Sequence, residues 1–307
     1  MAKANTNCEG NALWLQKDFP IRDEFLQLAR GNYDATVEQL DFVAARDQAR
    51  NTINKTVAEQ TGGKIKELLA SNSLSEDTRL VLTNAIYFKG DWDLQFAVKK
   101  TKLEAFHVSQ LIDVHVPFVR LASGFPDHFK YFEEPPLQGL EMPYRGGDLS
   151  MLVLLPGSNQ NLAQFEDLLT PANINRWFSE SKTSNRPLDL KLPRFKTTLR
   201  FNLSDTLRAL GINRAFSRQA DFSGISSKEE LFIGEVSHKA FIAVDEKGSE
   251  ATAATFLKDV ISVSELSPPS PPPIKFHADH PFISLIRDNR TGSILFLGRI
   301  CDPSKEE

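Results

Sequence analysis

The chain has 307 residues, and its 36 lysines and arginines against 40 acidic residues leave a net charge of −4. That balance argues against a protein that grips nucleic acid electrostatically, which needs a basic excess to displace phosphate counterions. A hydrophobic content of 41% with 25% charged residues is too apolar for a disordered chain and ordinary for a soluble, core-forming one.

Two cysteines, Cys8 and Cys301, allow at most one bridge. The longest apolar runs, such as Ile294-Leu295-Phe296-Leu297, are far too short to cross a bilayer as a helix. The opening MAKANTNCEGNA has no apolar core of a signal peptide. No nucleic-acid or membrane partner is expected.

In chain order, Ala12–Ile21 reads as a strand. Asp23 can cap a helix running to Tyr33, with Phe25, Leu26, Leu28 and Ala29 at helical spacing. Asp41–Glu59 repeats Ala44, Ala45, Ala49, Ile53 and Val57 every three to four residues, a second helix that Thr61-Gly62-Gly63 ends. Ile65–Ala70 suggests one more short turn. Thr78–Phe88 is a nearly continuous apolar and β-branched run, the pattern of a strand covered on both faces.

Further strands are expected at Glu104–Val108, Val114–Arg120, Leu140–Tyr144, Leu149–Leu155, Leu188–Pro193 and Phe195–Leu199, and near the end at Phe282–Ile286 and Ile294–Ile300. Helices are expected at Leu162–Leu169, Pro171–Ser179 and Leu203–Leu210. Many antiparallel strands with helices grouped apart make an α+β fold. The tract Ser267 to Pro273, five prolines in seven residues, cannot lie inside a sheet and reads as the stiff exit of a long exposed loop.

Catalytic chemistry finds no support. There is no nucleophile elbow, P-loop, dinucleotide fingerprint, H-E-x-x-H or C-x-x-C. His277 and His280, three apart, are at most a weak metal spacing, and His238 in its strand reads as a hydrogen-bonded core residue rather than a general base. No enzyme, metal or cofactor is expected.

The informative stretch is Phe241–Ser264: a strand, the acidic pair Asp245 and Glu246, then Gly248, Ser249, Ala251, Thr252, Ala253, Ala254 and Thr255. By itself the Ala/Thr run is compatible with a surface helix or a linker. Around it stand Ala12-Leu13-Trp14, Asp41-Phe42, Thr83-Asn84-Ala85-Ile86-Tyr87-Phe88-Lys89-Gly90 with Trp92, and Met142-Pro143-Tyr144. There follow Leu149-Ser150-Met151, Leu192-Pro193-Arg194-Phe195, Leu210-Gly211-Ile212, Asp221-Phe222-Ser223-Gly224, His238-Lys239-Ala240-Phe241, His280-Pro281-Phe282 and Gly298-Arg299-Ile300. In this order and combination they resemble the serpins, the serine protease inhibitors.

The resemblance implies one serpin domain over 1–307 with a reactive loop at about 246–273. It also implies a metastable fold and suicide inhibition: after cleavage and acylation the loop inserts as a new strand into the central sheet. Insertion buries every second side chain, so small residues suit it and bulky or charged ones do not. Ser249, Ala251, Ala253 and Thr255 form one such set, with Gly248 as the flexible hinge. Carried onward the same parity turns Leu257 and Asp259 inward, and a buried Asp259 is unfavourable.

Family spacing from Glu246 places the bait bond at Ser262–Val263, with Ile261 and Leu266 as alternatives. This apolar setting suits an elastase- or chymotrypsin-like serine protease, or a cysteine protease, bound covalently by a monomer. Asn84 and His238 match the family's polar pair between the central strands, where a mutual bond holds the sheet closed. Glu246 and Arg194 match a pair where the loop first enters, and Trp92 matches the tryptophan packed there.

Only eleven residues precede Ala12-Leu13-Trp14, where the family has several helices and a strand, so the chain reads as N-terminally incomplete, with an apolar sheet face exposed. Thr56 stands where the family often has tryptophan. A non-inhibitory serpin that acts as a binding protein, or an inactive fragment, are the competing readings. Family resemblance favours an extracellular or periplasmic location.

Overall fold

The computed structural model describes residues 5–121, 129–157, 162–180, 182–183, 187–227, 231–249 and 272–305. In chain order the elements are β1 (Asn5–Gln16), α1 (Asp23–Tyr33), β2 (Thr36–Leu40), α2 (Arg46–Gln60), β3 (Leu80–Asp91), β4 (Lys102–Ser109) and β5 (Ile112–Leu121). Next come β6 (Lys130–Glu134), β7 (Leu137–Pro143), β8 (Leu149–Pro156), α3 (Leu162–Glu166), α4 (Pro171–Glu180), β9 (Lys182–Thr183), β10 (Leu188–Pro193), β11 (Phe195–Asn202) and α5 (Ser204–Ala209). The last are β12 (Ile233–Val244), β13 (Gly248–Ser249), β14 (Ile274–His277), β15 (Phe282–Asp288) and β16 (Ile294–Ile300). The fold is α+β, as expected.

Two compact units emerge, one from Met1–Thr6, Lys89–Lys196 and Ala243–Glu306, the other from Asn7–Phe88 and Thr197–Ile242. In the second unit the strand order is β11-β12-β3-β1-β2. Two of its pairs are parallel, β1 with β2 and β3 with β12. Along β3, Val81, Thr83, Ala85 and Tyr87 are buried and alternate with half-buried Leu82, Asn84 and Ile86. One face is therefore closed and the other only partly, rather than both closed. On β11 Leu199 and Phe201 are exposed.

The helix α2 buries Ala49, Ile53 and Val57, one stripe at spacing four, in clusters with Trp14, Phe42, Leu69 and Val81 and with Ile65, Leu68 and Ala85. Its start lies later than the apolar pattern suggested. Asp41 accepts the Ala44 N–H at 2.8 Å, so the carboxylate closes a turn there before the helix begins. Asp23 likewise is the first helical residue rather than the cap, which is Arg22. Residues 65–70 form no helix; they are held by buried Asn54, whose amide oxygen accepts from the Leu68 and Leu69 N–H groups at 2.9 and 2.8 Å and whose NH2 donates to the Leu69 carbonyl.

The first unit has two further sheets, β14-β10-β5-β4 and β16-β15-β8-β7-β6-β9. The second of these is antiparallel throughout its registered pairs and buries Leu152, Leu154, Ile283 and Leu285 against Phe165 and Trp177 from α3 and α4. In the first sheet β14 joins β10 in parallel, Leu188 beside Ile274 through Lys191 beside His277. Cys301 is a free, exposed thiol.

Candidate functional site

Residues 245–249 follow β12 in a tight turn. The Asp245 carboxylate accepts the Lys247 N–H at 2.8 Å, the Asp245 N–H donates to the Gly248 carbonyl at 2.9 Å, and the chain reverses. β13 then runs antiparallel to β3, Gly248 opposite Asp91 and Ser249 opposite Gly90. Gly248 has φ +151°, and a Cβ there would overlap the Gly90 carbonyl oxygen, so side-chain-free backbone is needed at Gly248.

Trp92 clasps this turn with both of its N–H groups. The backbone N–H donates to the Lys247 carbonyl at 2.7 Å and the indole Nε1 to the Asp245 carbonyl at 3.0 Å. Its ring stacks on Tyr144 at 4.5 Å between centroids and meets Phe96 edge-on at 6.5 Å. The Phe96 N–H donates to the Glu246 carbonyl at 2.7 Å.

Glu246, 3% exposed, is bound by Arg194 Nε at 2.9 Å and by Nη2 of the same guanidinium, while Thr101 Oγ1 donates to its other oxygen. Burial opposes ionisation of this carboxyl most strongly. The bonds from Arg194 and Thr101 act against it and hold the group below the ordinary carboxylate value. Thr101 is a member of this cluster that no sequence motif singled out.

In the second unit His238 lies beside Asn84 in the parallel β3–β12 register. The imidazole Nδ1 and Asn84 Oδ1 are 2.6 Å apart, and the Asn84 NH2 donates to Asn11 Oδ1 at 2.6 Å. Assigning the proton to Nδ1 satisfies all three groups with a neutral ring. Burial lowers the His238 pKa, consistent with neutrality, and Phe201 stacks on the ring at 6.1 Å. Asn11 was also not foreseen: one residue before the Ala12-Leu13-Trp14 motif, its partner is known only once β1 and β3 lie together.

Among the expected site residues, Glu246, Gly248 and Ser249 thus lie with Trp92 and Arg194, and Asn84 with His238. Ala251, Thr252, Ala253, Ala254 and Thr255, the bond candidates Ile261, Ser262, Val263 and Leu266, and Asp259 lie outside the described residues. His277 and His280 diverge, one bonding Asp189 and the other Asp279 and the Pro156 carbonyl. No group of three or more potential metal ligands occurs among the described residues, nor any helix long and apolar enough to cross a membrane.

Comparison with known proteins matches residues 3–303 to the family described as Serpin (serine protease inhibitor). Serpin B10 of Papio anubis is 38% identical over 294 residues, which are 95% of this chain and 72% of that protein. Leukocyte elastase inhibitor of Sus scrofa is 39% identical over 297 residues, 95% of this chain and 76% of that protein. Uncleaved ovalbumin superposes with a TM-score of 0.85 at 31% identity, covering 99% of this chain and 75% of the other. None of these comparisons supports the extracellular location expected from the family at large. With the family match over nearly the whole chain and these relatives, the chain belongs to the serpin family of protease inhibitors.

Proposed function

We propose that the chain inhibits an elastase- or chymotrypsin-like serine endopeptidase as a suicide substrate. The observation that carries this reading is the junction of β12, β13 and β3. β3 and β12 pair directly and in parallel from Leu80 beside Ile233 to Tyr87 beside Phe241, while β13 turns back antiparallel onto the end of β3. A strand continuing β13 between them would exchange one parallel pairing for two antiparallel ones, and antiparallel pairing is the more stable per residue.

On this reading the protease serine attacks the Ser262 carbonyl, the Ser262–Val263 bond breaks, and Ser262 stays esterified to the enzyme. Release of the new end lets Ser249, Ala251, Ala253 and Thr255 pass into the sheet interior, with Glu250, Thr252 and Ala254 outward. Before cleavage, the Asn84–His238 bond and the Glu246–Arg194 pair keep the sheet closed. The chain acts as a monomer and single domain, one inhibitor to one protease. The name of the porcine relative, an elastase inhibitor, agrees with the apolar bait.

Incubation with elastase and with chymotrypsin, followed by denaturing electrophoresis, tests the proposal. A stable band at the summed mass, with a released peptide beginning at Val263, is expected. A peptide beginning at Ser262 or Ser267 moves the bond to Ile261 or Leu266. Cleavage with no stable band overturns the inhibitory reading.

A further inference from the structure

The segment that leads away from residues 250–271 is fastened within the first unit. β14 pairs with β10, the Ile274 N–H donates to the Pro187 carbonyl at 2.8 Å and the Ala278 N–H to the Lys191 carbonyl at 2.9 Å. The next residue, Asp279, accepts the His107 N–H at its carbonyl, 2.7 Å away. His280 then closes the segment. Its Nε2 lies 2.7 Å from the Pro156 carbonyl oxygen at the end of β8, and its Nδ1 lies 2.9 Å from the Asp279 carboxylate. The side chain is only 15% exposed.

A carbonyl oxygen can only accept, so Nε2 must carry a proton. An ionised carboxylate can also only accept, so Nδ1 must carry one too. A neutral imidazole has a single N–H and cannot meet both demands; its bare Nδ1 would face the carboxylate lone pairs. We propose that His280 is an imidazolium in the folded chain, a charged clamp that fastens the strand leaving the reactive loop and slackens as the solution becomes alkaline.

The surroundings bear on the sign. Burial works against the charge on His280, but the bonds to Asp279 and Pro156 outweigh it and raise its pKa above the ordinary histidine value. Asp279, which burial pushes up, is held down by His280 and, more weakly, by His107 on β4, so it stays ionised. The His107 ring is itself bonded to Asp113 of β5 at 2.8 Å. From β10, Asp189 engages His277 at 3.0 Å and Lys191 engages Glu104 of β4 at 2.9 Å, so these charges are already partnered. From β8 the contacting group is the Pro156 carbonyl, which does not titrate.

With its folded pKa raised, the clamp is at full strength below about pH 6.5 and is lost as pH rises through the folded value. Calling the preceding segment a reactive loop rests on the proposed function; the clamp itself does not.

Two measurements on the intact chain decide it, neither using a protease. In 15N-edited NMR at pH 7, both His280 nitrogens are expected to be protonated, with a transition on the alkaline side of 6.5. Hydrogen exchange of the Ala278 and His107 amides, corrected for intrinsic rates, should show protection falling between pH 6 and pH 9. The fall is about tenfold for each unit by which the folded pKa exceeds the free one. The His280→Gln variant keeps a donor for Pro156 but cannot titrate, and its protection should not depend on pH. A bare Nδ1 at pH 7, a transition below 6.5, or an unchanged pH dependence in the variant overturns the clamp. Failure to trap a protease while His280 titrates as expected would refute the inhibitor reading alone.

Discussion

Two histidines in the two units share burial but face opposite partners. Among the described residues His238 hydrogen-bonds to a neutral amide oxygen, that of Asn84, and burial lowers its pKa. His280 faces two acceptors, one of them charged, and its pKa rises although burial again pulls downward. Burial pushes both rings toward neutrality; the partners decide the outcome. The linkage is opposite in sign. Where His238 is depressed, the unfolded chain binds the proton more readily, so stability is lost as pH falls through 6.5 toward the folded value. Where His280 is raised, stability is lost as pH rises. Between them lies a window near neutrality in which both contacts are made.

Glu246 extends the comparison to an acid, since it too is buried and kept ionised by its partners. Removing the partner is therefore expected to have the largest effect. Arg194→Ala should lower stability by about 2–4 kcal/mol, since a buried carboxylate is left without its cation and water reaches it only from the exposed side. Denaturant unfolding at pH 7 checks this. In the wild type the contribution is present above the ordinary carboxylate pKa near 4.5 and is lost as pH falls through the lower folded value.

A neutral contact to the same turn should matter less. Trp92→Phe keeps the stack on Tyr144 but loses the indole donor to Asp245, with an expected loss of about 1–2 kcal/mol in the same unfolding experiment.

The histidine pair can be broken more directly. Asn84→Asp gives His238 a charged acceptor, so its titration should cross from below 6.5 to above it, and the loss of stability on acidification should reverse. Thermal unfolding at a series of pH values reads the reversal. A slope of unchanged sign would mean that burial dominates there after all. The smallest expected change is Asp279→Asn, which leaves His280 a neutral partner beside the Pro156 carbonyl. Its NMR titration should fall back toward 6.5, and the alkaline loss of protection at Ala278 should shrink without vanishing from the rest of the sheet.

Legibility from sequence varied with the range of the interaction. The strands at Leu188–Pro193 and Ile294–Ile300 match in full, and the helix ending at Tyr33 misses only its cap, because local periodicity decides them. The strands at Thr36–Leu40 and Lys130–Glu134 were missed: TVEQL and KYFEE are short and half polar, and they hold their shape by pairing, the first with β1 and the second with β7 and β9. Glu246, Gly248, Trp92 and Arg194, which lie together around the turn at 245–249, could be named from their motifs. Thr101 could not, since its bond to Glu246 joins residues far apart in the chain.

Family membership, the α+β class and the absence of familiar catalytic motifs were thus determined by the sequence alone, through local composition and order. Tertiary structure alone decided that β3 and β12 run parallel side by side, that Gly248 must pass against Gly90, and that two half-buried histidines meet acceptors of different charge. The reason is physical. Strand pairing and proton binding depend on which groups meet across long stretches of chain, and no local pattern records those meetings.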